Sequence, residues 1–112
     1  MYARVVRFRL VGPTHEEYDA HATAIAESFN EWPGLRAKLW LADQQAGRYG
    51  GIYLFDRAED AELSRSTSQF LSVQRLPMFT ELSIEEFEIL DGPTSVTGGP
   101  FAAALAGAWV AP

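Results

Sequence analysis

The chain has no cysteine, which removes disulfides, thiolate catalysis, iron–sulfur clusters and cysteine-ligated zinc together. Basic residues are scarce as well: nine Lys and Arg against fifteen Asp and Glu leave a formal net charge of −6. A surface of that sign offers no basic stripe to nucleic acid or to an anionic membrane. Histidine occurs only as His15 and His21, six residues apart and so on different faces of a helix, and no metal site is expected. Apolar runs are short, and none reaches the length that spans a bilayer. The N-terminal Met1–Val5 alternates polar and apolar residues where a signal peptide would have its apolar core. A soluble, cytoplasmic protein is the expectation. Also missing are a Walker motif, a dinucleotide fingerprint and Ser-His-Asp spacing. Gly47 and the pair Gly50–Gly51 lead into a strand, so they build no phosphate loop at a helix N-terminus.

What the sequence has is apolar and aromatic weight. Residues of apolar type make up 47% of the 112, and aromatic ones 12%, which excludes a disordered chain. One domain of this length buries roughly two-thirds of its unfolded surface. The apolar share is generous for a lone small domain, so a second subunit is expected to cover part of it.

Periodicity supplies the elements. Ala3 to Leu10 alternates, with Val6, Phe8 and Leu10 on one face and Val5, Arg7 and Arg9 on the other, which predicts a strand. Gly12-Pro13 breaks it, and Thr14 is the expected N-cap of a helix running to about Asn30, with Glu16 and Glu17 at its positive end. The stripe Tyr18, Ala22, Ile25, Ala26, Phe29 is its buried face. After Pro33-Gly34, a second strand is predicted from Leu35 to Ala42, with Leu35, Ala37, Leu39 and Leu41 opposite Arg36, Lys38 and Trp40. A turn at Asp43–Arg48 leads into a third strand, Tyr49 to Phe55. Arg57 to Arg75 reads as two short helices or one kinked helix, divided at the Ser/Thr-rich stretch Ser64–Ser68. Thr80 to Leu90 is the fourth strand. Its apolar phase shifts from Leu82 and Ile84 to Phe87 and Ile89, predicting a bulge at Glu85-Glu86 or a strand covered on both faces.

The order β-α-β-β-α-β is most simply an α+β, ferredoxin-like domain: a four-stranded antiparallel sheet with helices on one face. It is expected to occupy residues 1–92, with a C-terminal tail over 93–112 whose Ala-rich end is a candidate partner-docking arm. Apolar residues on both sides of strand three, Ile52 and Leu54 against Tyr53 and Phe55, require cover for the other sheet face. A homodimer packed sheet to sheet provides it.

Several of these pieces together carry a resemblance: Glu27-Ser28, Pro33-Gly34, Lys38 with Trp40, the block Gly50-Gly51-Ile52-Tyr53-Leu54-Phe55, and the segment Pro93 to Pro100. From about Arg4 to Pro100 the chain resembles the mono-oxygenase family of the dimeric α+β barrel superfamily, relatives of the antibiotic-biosynthesis monooxygenases. The resemblance implies a dimer with a pocket in each subunit between sheet and helices. It implies oxidation of an electron-rich aromatic or polyketide-type substrate by dioxygen, with no cofactor. The substrate then supplies the electrons once deprotonated, and the protein supplies a desolvated slot, a proton acceptor and donors to the developing oxyanion.

Within that frame His21, on the edge of the buried stripe of helix one, is the candidate base, against the ordinary reading of a histidine on a helix flank. His15, at the helix start, is expected to be exposed. Tyr53 is the candidate hydroxyl donor. Trp40 and Phe55 are the candidate stacking wall, Trp32 the cap at the pocket mouth, and Arg9, Ile25 and Phe70 further substrate contacts; core filling is the competing reading for each aromatic. For Arg7, Arg9, Arg36 and Lys38, pairing with Glu86 and Glu88 competes with an arginine holding an enolate or carboxylate. Of strand three's two faces, the one bearing Tyr53 and Phe55 is expected to face the pocket. Two other functions stay open on the same residues: a cofactor-free cyclase, isomerase or lyase, and a non-catalytic dimer binding a small apolar ligand or haem.

Overall fold

The computed structural model describes residues 1–101. Strands β1 (Tyr2–Leu10), β2 (Leu35–Asp43), β3 (Arg48–Phe55) and β4 (Phe79–Glu88) form one antiparallel sheet in the order β2-β3-β1-β4. Helices α1 (His15–Ile25), α2 (Ala58–Ser64) and α3 (Ser68–Arg75) fill the two crossovers. This is the ferredoxin-like plan.

Local chemistry sets the boundaries. Thr14 caps α1 as the sequence predicts: its hydroxyl accepts from the Glu17 amide at 3.1 Å while the Glu17 carboxylate accepts from the Thr14 amide at 2.9 Å, satisfying two otherwise unpaired donors. The helix does not continue to Asn30 in one form. It tightens into a 3-10 turn over Ala26–Glu31, where the Ser28 hydroxyl donates to the Ile25 carbonyl. The tighter turn brings Phe29 and Trp32 onto the sheet, both buried. Gly34 then reverses the chain at φ +68°; a Cβ there would strike the buried Asp60 side chain. The second helical region is two helices, α3 starting at a Thr67 cap whose hydroxyl accepts from the Phe70 amide.

Two departures from simple alternation matter. Register slips between Leu35 and Ala37, so Leu35 packs into the core while Ala37 lies on the outer face. On β4 the irregularity lies near Glu81, at φ +52°, and not at Glu85-Glu86. Beyond it the strand keeps one phase, Ile84 and Glu86 inward, Phe87 outward. The apparent phase shift in the sequence reflects apolar residues on both faces.

The inner face carries two core clusters. Phe29, Trp32, Phe55, Ala61 and Phe70 form one, and Val6, Phe8 and Tyr49 the other. Beside the first cluster Arg4 is fully buried, its guanidinium donating to Glu86 (2.8 Å), to the Ser64 hydroxyl (2.7 Å) and to the Ala61 carbonyl (2.7 Å). One side chain thereby ties β1 to β4 and α2. The expectation that Glu86 and Glu88 would neutralise the alternating cations is corrected: Arg7 pairs with Glu85, Arg9 with Glu81 at 3.9 Å, and Arg36 with Asp56 at 2.6 Å. Glu86 is committed to Arg4 and Arg65.

On the outer face, cross-strand rows run Ala37–Leu54–Ala3–Phe87 and Leu39–Ile52–Val5. Leu39, Leu41 and Phe87 are exposed there. Where the sequence places the start of a tail, Asp91–Thr97 form a short helix, α4, joined to the N-terminal amine through Asp91 at 3.3 Å. The Ala-rich run proposed as a docking arm lies, from residue 102 onward, outside the described residues.

Candidate active site

Between the inner sheet face and the helices lies a cavity of about 450 Å³. Its floor is β1, β2 and β3 at Val6, Trp40 and Gly51; α1 and the 3-10 turn supply one wall and α3 the other. The double glycine has two distinct reasons. A Cβ on Gly50 would collide with the Val6 carbonyl oxygen, so Gly50 permits close approach of β1. A Cβ on Gly51 would sit 3.1 Å from the Leu39 carbonyl oxygen, 3.3 Å from Lys38 Cε and 3.4 Å from Tyr53 Cε1, so its absence leaves space in the cavity.

The walls are mostly rings. Trp32 lies nearly parallel to both Tyr53 (centroids 5.7 Å, 10°) and Phe55 (6.4 Å, 12°). Phe29 meets Trp40 edge-on at 5.4 Å. At the centre of this group is Lys38. Its Nζ lies 3.4 Å from the Trp40 centroid, 3.6 Å from that of Phe29 and 4.7 Å from that of Tyr53. Among the described residues it joins no ion pair. Burial pushes its amine from the usual 10.5 down to about 7. The electron-rich ring faces oppose that shift by favouring the ammonium.

The phenols behave differently. Burial pushes Tyr18 up to about 12 and raises Tyr53 further, so both remain protonated donors at neutral pH. Trp32 Nε1 is buried with no acceptor among the described residues. His15 is half-buried and not exposed as expected, its Nδ1 2.9 Å from the Tyr49 hydroxyl.

Of the residues singled out in the sequence, His21, Ile25, Trp32, Trp40, Tyr53 and Phe70 all border this cavity. His21 stands on its exposed rim and Trp32 deep within it, so Trp32 is part of the wall and not a cap at the mouth. Tyr53 and Phe55 share the inner face, as expected, but Phe55 is fully buried behind Trp32 and does not reach the cavity. Arg9 is on the wrong side of the sheet: its exposed side chain pairs with Glu81 on the outer face, because β1 alternates and Phe8 takes the inward position.

The family model described as "Putative mono-oxygenase ydhR" matches residues 4–100. The chain belongs to the ydhR mono-oxygenase family. Solved structures agree on the fold. The haem degrader MhuD from Mycobacterium tuberculosis, with two haems bound in its active site, superposes with a TM-score of 0.63 at 15% identity, over 80% of this chain and 96% of that one. SnoaB from Streptomyces nogalater, a cofactor-independent oxygenase, gives 0.62 at 18% identity, over 79% and 91%. A protein from Deinococcus radiodurans, named a putative antibiotic biosynthesis monooxygenase, gives 0.64 at 14% identity, over 80% and 92%. No curated protein matches the sequence.

In this ydhR-family chain the residue that sequence reasoning undervalued is Lys38. Alternation on β2 already set Lys38 and Trp40 on one side, so assigning Trp40 to the pocket placed Lys38 there too. A second signal was available: Lys38 is the chain's single lysine, every other strong cation being arginine. An arginine stays charged under all ordinary conditions, whereas a buried lysine can shed its proton.

Among the described residues no three His, Asp or Glu side chains converge to hold a metal ion, and no helix is long and apolar enough to cross a membrane. The cavity can exclude water from a flat apolar molecule, present phenol donors to its oxygen atoms, and supply an amine inside and an imidazole at the rim.

Proposed function

We propose that this protein is a cofactor-independent monooxygenase that oxidises an electron-rich aromatic or polyketide-type substrate with dioxygen. The observation that carries the reading is the ring-walled cavity itself, whose polar groups are few and suited to generating and holding an oxyanion. SnoaB, of similar fold, is a cofactor-independent oxygenase, which supports the reading without assigning a substrate.

In this reading the substrate stacks against Trp40 and Tyr53, with Ile25 and Phe70 closing the apolar wall. His21 takes the substrate proton, and the Tyr53 hydroxyl donates to the oxyanion formed. The carbanion or phenolate reduces dioxygen; one oxygen atom becomes the new carbonyl and the other leaves as water, so an anthrone and O2 give a quinone and H2O. The working form is a homodimer, because the outer sheet face presents Leu39, Leu41 and Phe87 to solvent in a single subunit.

The test is oxygen uptake by the purified protein with anthrone-type substrates, with 18O2 to trace the new carbonyl. Expected is one 18O per quinone without added iron or flavin. Substrate consumed equally fast under nitrogen, to a product at the same oxidation level, would point to the cyclase, isomerase or lyase reading, and a rate unchanged in His21→Ala would remove that residue as the base.

A further inference from the structure

Three non-exposed cations lie on or beside the inner face, and two of them, Arg4 and Arg65, share the Glu86 carboxylate. Lys38 does not share in this. No aspartate or glutamate borders its cavity among the described residues; the titratable neighbours there are Tyr18, His21 and Tyr53. On its other side, a hollow of about 220 Å³ is bordered by Glu27 and Arg36. Arg36 is held by Asp56, and Glu27 is exposed and within ion-pair distance of no cation in the described residues.

We infer that the cavity takes a flat apolar ligand bearing a single acidic oxygen (a phenolate, an enolate or a carboxylate), and that this oxygen ends on Lys38 Nζ. A half-buried ammonium without a counter-charge carries part of the desolvation cost, and a ligand that brings the missing anion offsets that cost on binding. The rings of Phe29, Trp40 and Tyr53 hold Nζ in place without neutralising it, because a quadrupole attracts the cation but carries no net charge. They also supply the flat faces that the ligand's apolar body requires. Gly51 adds the room: any side chain there would stand against the Lys38 stem. The inference rests on this cavity being the substrate site, and narrows the substrate to acids and to compounds readily ionised at an oxygen.

The experiment measures binding alone, under nitrogen and without turnover, by quenching of tryptophan fluorescence at about pH 6. The probes are 2-naphthoate and its uncharged counterpart 2-naphthamide. The wild type is expected to bind the acid about tenfold or more tightly than the amide, since a charge-assisted contact to a desolvated ammonium is being formed. Lys38→Met is expected to bind both alike, its retained affinity for the amide showing an intact cavity. Should that variant not fold, the wild type decides: its preference for the acid must fade by about pH 10, where the amine is neutral. Equal affinities in the wild type, a preference surviving in Lys38→Met or at high pH, or no binding of either probe would each overturn the inference. Acid-selective binding without oxygen consumption would leave it standing and remove only the oxygenase reading.

Discussion

Lys38 and Trp40, two residues apart on β2, place an amine 3.4 Å from the centre of an indole ring. Both side chains point inward because strand residues i and i+2 share a face, and Gly51 across the ladder from Trp40 leaves them room. The pairing is costly to the fold in one respect. An ammonium is taken out of water with ring faces but no carboxylate for company, and such a cost belongs at a site that uses it.

That cost gives the first prediction. Burial pushes the Lys38 amine from an ordinary 10.5 down to about 7 in the folded protein. Between those values the unfolded chain holds a proton that the folded chain does not, so stability rises with pH across this window and is lowest below it. Lys38→Met removes the penalty. The variant is expected to be more stable than wild type by about 2 kcal/mol near pH 6, the rings offsetting the rest of the desolvation cost, and the gap should close toward pH 10. Urea titrations at about pH 6, 8 and 10 measure it; a gap that does not change with pH would show that the amine is not desolvated.

The adjacent glycines separate a fold requirement from a site requirement. Gly50→Ala drives a methyl group into the Val6 carbonyl, a backbone atom that moves only if β1 moves, and is expected to cost about 3 kcal/mol. Gly51→Ala meets the Leu39 carbonyl oxygen at 3.1 Å, the Lys38 stem at 3.3 Å and the Tyr53 ring at 3.4 Å, tight contacts that shifts of a few tenths of an ångström relieve. Its cost is expected to be about 1 kcal/mol, with a larger effect on ligand affinity than on stability. Chemical denaturation of the two variants, with ligand binding to the second, checks the order; equal costs would refute the distinction.

Much of this was legible in the residues. Alternation and Pro/Gly punctuation yield the four strands and the ferredoxin-like order, and Thr14 with Glu17 announces the first helix. Which face of β3 turns inward is not legible in the same way, because Ile52 and Leu54 alternate with Tyr53 and Phe55 and both faces are apolar. What escaped were effects one residue wide. The slip at Arg36 turns Leu35 inward, and the left-handed Glu81 resets β4; neither carries a glycine to advertise it. Arg9 was misplaced because an arginine on a strand looks the same from either side until the helices are docked. Arg4 was overlooked because a buried arginine is unexpected until Glu86, Ser64 and the Ala61 carbonyl are seen converging on it.

That convergence yields the third prediction. Burial pulls the Glu86 carboxyl up, but the hydrogen bonds and charges of Arg4 and Arg65 outweigh it and hold it below the ordinary 4.5. A depressed folded value means stability that is present above 4.5 and lost as pH falls through the folded value. Glu86→Gln keeps the shape and leaves Arg4 buried with no counter-charge. It is expected to cost about 3 kcal/mol at neutral pH and to flatten the acid limb of the stability curve. Thermal unfolding between about pH 3 and 7 reads both effects, and an acid limb as steep in the variant as in wild type would assign the acid loss to other carboxylates.

The last prediction concerns the outer face. Leu39 stands in a row with Ile52 and Val5, flanked by the row from Ala37 through Leu54 to Phe87, and it is 42% exposed in the single subunit. Such a face on one side of a four-stranded sheet resembles the interior of a sheet-on-sheet packing more than a solvated surface. If a second copy covers it, sedimentation of the wild type at micromolar concentration gives twice the 12.4 kDa chain mass. Leu39→Glu places a carboxylate on the outer face of the edge strand β2, where a covering subunit would take it out of water. The variant is expected to sediment as a 12.4 kDa monomer while keeping its secondary structure by circular dichroism. A wild type that is already monomeric, or a variant that stays dimeric, would move the interface elsewhere. The first outcome would also leave the apolar rows of β1, β2 and β3 facing water, at odds with the small patches that a stable monomer normally exposes.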